Sequence, residues 1–202
     1  RDYEKISPDW KVGVAAQLDI KRAKERAYIK IEFINFDKNK RILEIGSGAG
    51  LLVATLLLDG YDVYGLEPDT DSFLTSKRLF LDNNLKTSRL INTYANNFIV
   101  PEKFDLIVSF QVVEHTKNPE EIFRTCYINL KYNGMIYFVI PNYRSFWEGH
   151  YALPWLPIFN KKLAKIYVKL FLRDSSFIDT LFFVTPAYIR EVLGKNKFKL
   201  KS

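Results

Sequence analysis

The sequence contains few residues that could cross-link it or bind a metal. It has one cysteine and two histidines among 202 residues, which excludes an intramolecular disulfide and a multi-cysteine zinc site. A single cysteine is typical of a reducing compartment, so we expect a cytoplasmic protein. No apolar run reaches the ~18 residues of a membrane-spanning helix, and we find no internal repeat or low-complexity segment.

The composition is that of a globular protein. Hydrophobic residues make up 48% and charged residues 26% of the chain, and a chain of this length buries roughly 70% of its unfolded surface. The 30 lysines and arginines exceed the 23 acidic residues, which favours anionic partners. The basic residues are spread along most of the chain, so a nucleic-acid partner is not indicated.

From Arg41 onward, apolar runs of strand length alternate with helical patterns. This alternation predicts crossover connections, and therefore an α/β doubly wound fold with a mostly parallel sheet. The predicted strands are Ile42–Ile45, Val63–Leu66, Leu90–Tyr94, Leu106–Phe110 and Met135–Ile140. The predicted helices between them are Leu51–Leu58, Thr70–Leu81 and Glu120–Leu130.

We expect a single domain over residues 1–202, built from four segments. They are an N-terminal flap and helix (1–40), a cofactor-binding core (41–142), an aromatic and helical lid insertion after the fifth strand (143–185), and a C-terminal helix and strand (186–202). The later segments predict helices at Lys161–Arg173 and Pro186–Leu193 and a short strand at Phe198–Leu200. Because the sheet needs one more strand than the chain supplies, we expect a sequence cut short at Ser202. The absence of an initiator Met separately suggests trimming before Arg1.

Three glycines follow the first predicted strand, at Gly46, Gly48 and Gly50. Glycine there permits a sharp turn from strand to helix and the close approach of a ligand to the main chain. Leu51 stands where a dinucleotide-binding fingerprint has its third glycine, which argues against a nicotinamide cofactor. Glu67 ends the second predicted strand, where a carboxylate can accept both ribose hydroxyls of an adenosine.

Four separated motifs resemble those of the class I S-adenosylmethionine-dependent methyltransferases, in particular the branch similar to ubiquinone-biosynthesis O-methyltransferases. The motifs are residues 44–50, residues 65–68, residues 104–109 with 113–115, and residues 130–134 with 140–142. The likeness covers about residues 25–142. It implies a Rossmann-like fold and S-adenosyl-L-methionine as the cofactor.

The resemblance also implies where the cofactor binds. The glycine loop passes its methionine part, the strand-end acid holds its ribose, and residues after the third and fourth strands flank the adenine and the sulfonium. The implied residues are Glu44, Gly46, Ser47, Gly48 and Gly50, then Glu67 and Pro68, then Ala95 and Asn96 at the adenine, and Phe110 and Gln111 near the sulfonium. Residues 92–97 contain no Asp, unlike many relatives, and Asn133 replaces a glycine at a position where asparagine tolerates positive φ.

The two histidines are the candidate bases for an acceptor. Methyl transfer from a sulfonium mainly requires alignment, and only the deprotonation of a hydroxyl needs a titratable group. His115 follows the fourth predicted strand, and His150 lies in an aromatic segment with Glu148 as its candidate orienting partner. The alternative for each histidine is a structural role. A metal site from Glu114 and these three residues has no supporting ligand spacing, so we predict no metal.

The segment Lys161–Arg173 predicts a basic amphipathic helix. Its apolar residues, among them Leu163, Ile166 and Leu170, recur at helical spacing between lysines. Such a helix can lie in a membrane interface. The alternative is a lid helix that packs its apolar stripe on the domain and leaves its lysines in solvent.

The sequence therefore predicts an S-adenosylmethionine-dependent methyltransferase that acts on a small-molecule or lipid-linked acceptor, at oxygen. Two alternatives remain open: a non-catalytic S-adenosylmethionine-binding protein and a nicotinamide-dependent oxidoreductase. A nucleic-acid methyltransferase is disfavoured because residues 109–112 do not form a base-methylating tetrad. The sequence does not indicate an oligomeric state.

Overall fold

A computed structural model describes residues 37–199. The N-terminal flap and the helix predicted before residue 34 lie outside this range. The described residues divide into two compact units: residues 37–110 with 121–138, here called the sheet unit, and residues 111–120 with 139–199, here called the second unit. The sequence analysis instead places the end of the core at residue 142 and counts residues 111–120 with the core.

The described residues contain a five-stranded sheet in the order β3-β2-β1-β4-β5. Its strands are β1 (Arg41–Ile45), β2 (Asp62–Leu66), β3 (Leu90–Ile91), β4 (Phe104–Phe110) and β5 (Leu130–Val139). The pairs β1–β2, β1–β4 and β2–β3 are parallel, and Glu44 of β1 lies opposite Gly65 and Val108. The predicted mostly parallel, Rossmann-like sheet is confirmed.

Three helices connect these strands: α1 (Leu51–Leu58), α2 (Thr70–Asp82) and α3 (Pro119–Asn129). Each begins and ends within a residue of its prediction. The Asp69 side chain accepts a hydrogen bond from the Ser72 amide at 2.9 Å and so caps α2. The buried core of the sheet unit consists of Ile42, Val53, Ala54, Leu56, Val63, Phe80, Leu90, Leu106 and Val108.

The strand order reverses at β1. Strands β2 and β3 extend the sheet on one side of β1, and β4 pairs on its other side. The Ser109 hydroxyl donates to the Ile45 carbonyl at 3.0 Å and ties β4 to β1 at their carboxyl ends. Open α/β sheets bind ligands at such a reversal, and the glycine loop 46–50 begins there.

Three predicted strands differ from the structure by three residues or more, and the other three agree within two. The third ends at Ile91 rather than Tyr94, because the chain turns into a 3₁₀ helix at Ala95–Asn97. The fifth covers Leu130–Val139 rather than Met135–Ile140, with Asn133 at the expected positive φ of 62°. Phe198 and Lys199 form no strand, since the Phe198 amide bonds back to the Leu193 carbonyl at a helix end; Leu200 lies outside the described residues.

The second unit contains a hairpin of β6 (Trp147–Glu148) and β7 (Leu153–Pro154) and the helices α4 (Lys161–Leu170), α5 (Phe177–Thr180) and α6 (Pro186–Lys195). The helix predicted over Lys161–Arg173 ends at Leu170 because Leu172 adopts a left-handed φ of 56°. The buried cluster of this unit is Tyr143, Tyr151, Leu153, Trp155, Ala164, Val168, Phe177, Ile178 and Leu181. Within residues 37–199 no helix has the length and apolar character needed to cross a bilayer.

Candidate functional site

The glycines of the loop after β1 serve different purposes. Gly48 has a φ of +53°, and a Cβ built on it would have no atom within 4 Å. The main chain at Gly48 therefore borders open space that a ligand can enter. Gly50 has a φ of +75°, and its Cβ would lie 2.8 Å from Cβ of Ser76 on α2. Gly50 is thus required by helix packing as well as by the turn.

Glu67 is fixed by the loop that it faces. Its Oε2 accepts a hydrogen bond from the Gly48 amide at 2.8 Å, and its Oε1 accepts one from the Asp69 amide at 2.9 Å. A carboxylate offers about four lone-pair positions, so two remain for the ribose hydroxyls of a nucleoside. The sequence predicts the ribose role; the bond that holds the glycine loop is an additional role that only the structure reveals.

Ser47 and Asn92 complete this end of the sheet. The Ser47 hydroxyl is buried and has no hydrogen-bond partner among residues 37–199. A buried hydroxyl without a partner is costly, which makes it a ready contact for a polar ligand group. The Asn92 side chain donates to the Glu67 carbonyl at 2.7 Å and positions the end of β2. The sequence analysis missed this role, for which an asparagine just after a strand is the signal.

The remaining residues predicted for the cofactor lie at or after the carboxyl ends of β1 to β4. Glu44 is buried within β1, and Pro68 follows Glu67 directly. Asn96, on the 3₁₀ helix that begins at Ala95, donates to the Glu121 carboxylate at 3.4 Å.

At the end of β4, the Phe110 ring packs 6.0 Å from that of Tyr137. Gln111 is the first residue of the second unit and has a positive φ of 56°, which is unusual for a residue other than glycine. Its amide donates to the Val139 carbonyl at 2.8 Å. The predicted cofactor residues other than Gln111 all belong to the sheet unit.

The second unit brings together the three residues that the sequence predicts for catalysis. Nδ1 of His150 lies 2.7 Å from Oε1 of Glu148, and Nε2 of His150 lies 3.4 Å from Nε2 of His115. Oε2 of Glu148 accepts a bond from the Tyr151 amide at 2.7 Å. The hairpin β6–β7 positions Glu148 and His150, and a 3₁₀ helix at Val113–His115 positions His115.

The partner of Nδ1 decides which ring nitrogen of His150 carries a hydrogen. A carboxylate only accepts hydrogen bonds, so Nδ1 carries the proton and Nε2 of the neutral ring keeps its lone pair. The Phe177 ring packs against both imidazoles, with centroid distances of 5.8 Å to His115 and 5.4 Å to His150. Both rings are therefore held in place, and Nε2 of His150 can accept a proton.

The sequence analysis names Glu114 only as part of a metal site that it does not predict. Its side chain is 0% exposed, and neither carboxylate oxygen has a hydrogen-bond partner among the described residues. Burial raises the pKa of Glu114 to about 7; the main-chain amide of Glu114 itself and the charge of His150 oppose the rise, and the charge of Glu148 adds to it. Burial also raises the pKa of Tyr143, and both carboxylates add to that rise.

A glycine loop at a strand-order reversal, followed by a carboxylate at the end of β2, defines the class of the nucleotide-binding α/β enzymes. Within that class, residues 18–176 match the family described as a methyltransferase domain. The chain belongs to this family, and its resemblance to the class I S-adenosylmethionine-dependent methyltransferases is confirmed.

Individual relatives agree with this assignment. A ubiquinone biosynthesis O-methyltransferase of Photobacterium profundum is 27% identical over 100 residues, which is 49% of this chain and 43% of that protein. The chain thus spans less than half the length of this relative.

Two solved structures are similar in fold. An S-adenosylmethionine-dependent methyltransferase from Clostridium acetobutylicum has a TM-score of 0.53 at 20% identity, covering 70% of this chain and 56% of that one. A phosphoethanolamine N-methyltransferase of Haemonchus contortus, in complex with S-adenosyl-L-methionine, has a TM-score of 0.64 at 18% identity, covering 85% and 36%.

Proposed function

We propose that the sheet unit binds S-adenosylmethionine and that the protein transfers its methyl group to the hydroxyl of a small molecule. The observation that carries this proposal is the buried Glu67 carboxylate, bonded to Gly48 beside open space. The unpartnered Ser47 hydroxyl fits the same nucleoside. Membership of the methyltransferase family and the O-methyltransferase among its relatives support methyl transfer to oxygen.

The chemistry is a displacement at carbon. The acceptor oxygen forms a bond to the methyl carbon while the bond between that carbon and sulfur breaks, and neutral S-adenosylhomocysteine leaves. The acceptor loses its proton to Nε2 of His150. The carboxylate of Glu148, 2.7 Å from Nδ1, orients the ring and stabilises the imidazolium that forms.

The direct test supplies labelled S-adenosylmethionine with matched acceptors that differ only in their nucleophile: a phenol, the corresponding aniline and an apolar phenol with an isoprenoid tail. We expect label on the two phenols. Label on the aniline alone would show that nitrogen, and not oxygen, is the acceptor atom. Calorimetric binding of S-adenosylhomocysteine without transfer to any acceptor or cell extract would instead favour the non-catalytic alternative.

We further propose that the acceptor is lipid-linked and that α4 contacts an anionic membrane surface. The helix packs Ala164 and Val168 into the core of the second unit. Ile166 and Leu170 are 61% and 75% exposed, so the apolar stripe predicted to pack on the domain lies largely on the surface of the described residues. An apolar stripe flanked by lysines is the pattern of an interfacial helix.

The charges on α4 select the lipid. Lys162 and Lys169 are exposed on the same helix, and Lys165 binds Asp179 at 2.6 Å. Each lysine near an anionic bilayer contributes about 1 kcal/mol to binding. An anionic surface is therefore favoured over a neutral one.

Co-sedimentation with vesicles tests this surface. We expect binding to phosphatidylcholine vesicles that contain phosphatidylserine, weakened by salt, and a loss of about tenfold or more in the variant I166S/L170S. The matched control is L74S/L81S on α2, whose leucines are 55% and 66% exposed. Equal binding of both variants, or no sedimentation of the unaltered protein, would refute the membrane contact.

A further inference from the structure

We propose that Glu114, His115 and His150 bind one divalent transition-metal ion of the zinc type. All three residues belong to the second unit. The inference goes beyond the proposed function and reverses the sequence prediction of no metal, which rested on the separation of these residues along the chain.

The three side chains converge on one point. One ligand atom from each lies within 4.8 Å of the others. The two Nε2 atoms are 3.4 Å apart, and Nε2 of His115 is 4.0 Å from Oε1 of Glu114. A tetrahedral zinc ion with bonds near 2.05 Å separates its ligands by about 3.4 Å. The nitrogens already have this spacing, and the carboxylate must approach the imidazoles by about 0.6 Å or more to reach it.

His150 carries the supporting contact that metal-bound histidines have. Its Nδ1 bonds the Glu148 carboxylate, so the lone pair of Nε2 points away from Glu148. Metal-ligating histidines usually donate their other ring N–H to a carboxylate or carbonyl, which fixes the tautomer and raises the basicity of the ligand atom. Glu148 itself is held by the Tyr151 amide. His150 is thus preorganised to bind a cation.

Glu114 supplies an independent reason for a cation. A fully buried carboxylate without a hydrogen-bond donor is strongly destabilising when charged. Both oxygens of Glu114 are in this situation among the described residues. A divalent ion between Glu114 and the two imidazoles would provide the missing partner, which a hydrogen bond between the two histidines alone would not.

The ligand set indicates the ion. Two imidazoles and one carboxylate suit zinc and similar transition metals better than calcium or magnesium, which prefer oxygen ligands. Three protein ligands leave a position open, as in catalytic rather than structural zinc sites. With the ion bound, Nε2 of His150 would be a ligand and not a base, and the ion would lower the pKa of a hydroxyl on the open position, whose proton would pass to water.

Metal titration of the tag-free, chelator-treated full chain tests the inference without acceptor or cofactor. We expect one equivalent of Zn²⁺ to bind by calorimetry, and Co²⁺ to give the visible absorption of a tetrahedral site. Because the chain has two histidines and a single, buried cysteine, few other side chains can produce that spectrum.

Substitutions then identify the ligands. E114Q, H115A and H150A should each weaken Zn²⁺ binding about 100-fold, and E148Q about 10- to 100-fold. The control E191Q removes an exposed carboxylate that pairs with Lys195 and should bind like the unaltered protein. The proposal would be overturned if the unaltered protein bound no Zn²⁺, or if the double variant H115A/H150A still bound one equivalent of Zn²⁺. Because no methyl transfer is measured, its failure is distinct from failure of the proposed function.

Discussion

Two buried carboxylates, Glu67 of the sheet unit and Glu114 of the second unit, differ in their hydrogen bonding. In the sheet unit, Glu67 accepts two main-chain amide hydrogens, and Asp105 accepts bonds from the Arg41 amide and the Lys131 ammonium. In the second unit, Glu114 is more deeply buried and has no hydrogen-bond donor among the described residues. Glu67 and Asp105 are thus held by hydrogen bonds, whereas neither oxygen of Glu114 has a partner among the described residues.

This difference separates preformed structure from an incomplete site. Hydrogen bonds satisfy Glu67 before any ligand binds, and two acceptor positions still remain for one. Glu114 has no such bonds, and burial raises its pKa to about 7. We interpret the sheet unit as a rigid cofactor cradle and the cluster around Glu114 as a site that a further group completes.

The largest expected effect probes the rigidity of the cradle. Gly50→Ala should lower the free energy of unfolding by about 3 kcal/mol. The new Cβ would collide with Ser76, and the alanine would have to adopt a positive φ. Denaturant titration measures the loss. Gly60→Ala, at a φ of +85° with no atom within 4 Å of its Cβ, is the control and should cost only about 1 kcal/mol. Equal losses would show that close packing at Gly50 contributes nothing.

The next effect concerns the second unit. His150→Ala should reduce turnover about 10²-fold, equivalent to about 2.7 kcal/mol of activation free energy, because the proton acceptor or metal ligand is lost. Affinity for S-adenosylhomocysteine should not change, since the cofactor cradle belongs to the sheet unit. Turnover assays and calorimetry on the same variant give both values. An unchanged rate would assign His150 a structural role.

A smaller effect is expected at the carboxylate of the cradle. Glu67→Gln should weaken S-adenosylmethionine binding by about 2 kcal/mol, roughly 30-fold, because hydrogen bonds to the charged group are lost. Glu102→Gln removes an exposed carboxylate of the same unit and serves as the control in calorimetry. If both variants bind alike, the ribose is held by other residues.

The smallest effect tests the charged state of the partnered acids. Burial alone would raise the pKa of Asp105, but the bonds from Lys131 and the Arg41 amide outweigh it and hold that pKa below its ordinary value of 3.8. Its contribution to stability is therefore present above that value and lost as the pH falls through the lower, folded-state pKa.

Asp105→Asn should accordingly be about 1 kcal/mol less stable than the unaltered protein at pH 7. The difference should shrink below about pH 4, where protonation removes the advantage of the carboxylate. Urea titrations at pH 7, 5 and 3 measure it. A difference that stays constant with pH would mean that the amide replaces the carboxylate geometrically and that charge plays no part.

The sequence predicted the sheet unit closely because its signals are local. Helix α1 agrees at both ends, α2 begins at the predicted Thr70, and Asn133 has the expected positive φ. Strand β3 was predicted to reach Tyr94, which is three residues too long. The strand in the structure ends at Ile91. Here the 3₁₀ turn and the Asn92 side chain prevail over strand propensity.

The second unit was harder to predict because its signals are not local. The sequence near His150 predicts an irregular aromatic segment, yet these residues form the hairpin β6–β7. The stripe of α4 was expected on the core as one of two alternatives, and the structure buries Ala164 and Val168 instead. A hydrophobic period predicts a helix but does not identify which of two adjacent apolar faces is covered.

The sequence by itself determined the strand–glycine–helix turn, the acid at the end of β2 and the methyltransferase family, since each depends on neighbours in the chain. Tertiary structure alone decided that Glu67 binds Gly48 and that His115 meets His150 across 35 positions of sequence. Spacing along a chain limits which residues can meet, but folding decides which of them do.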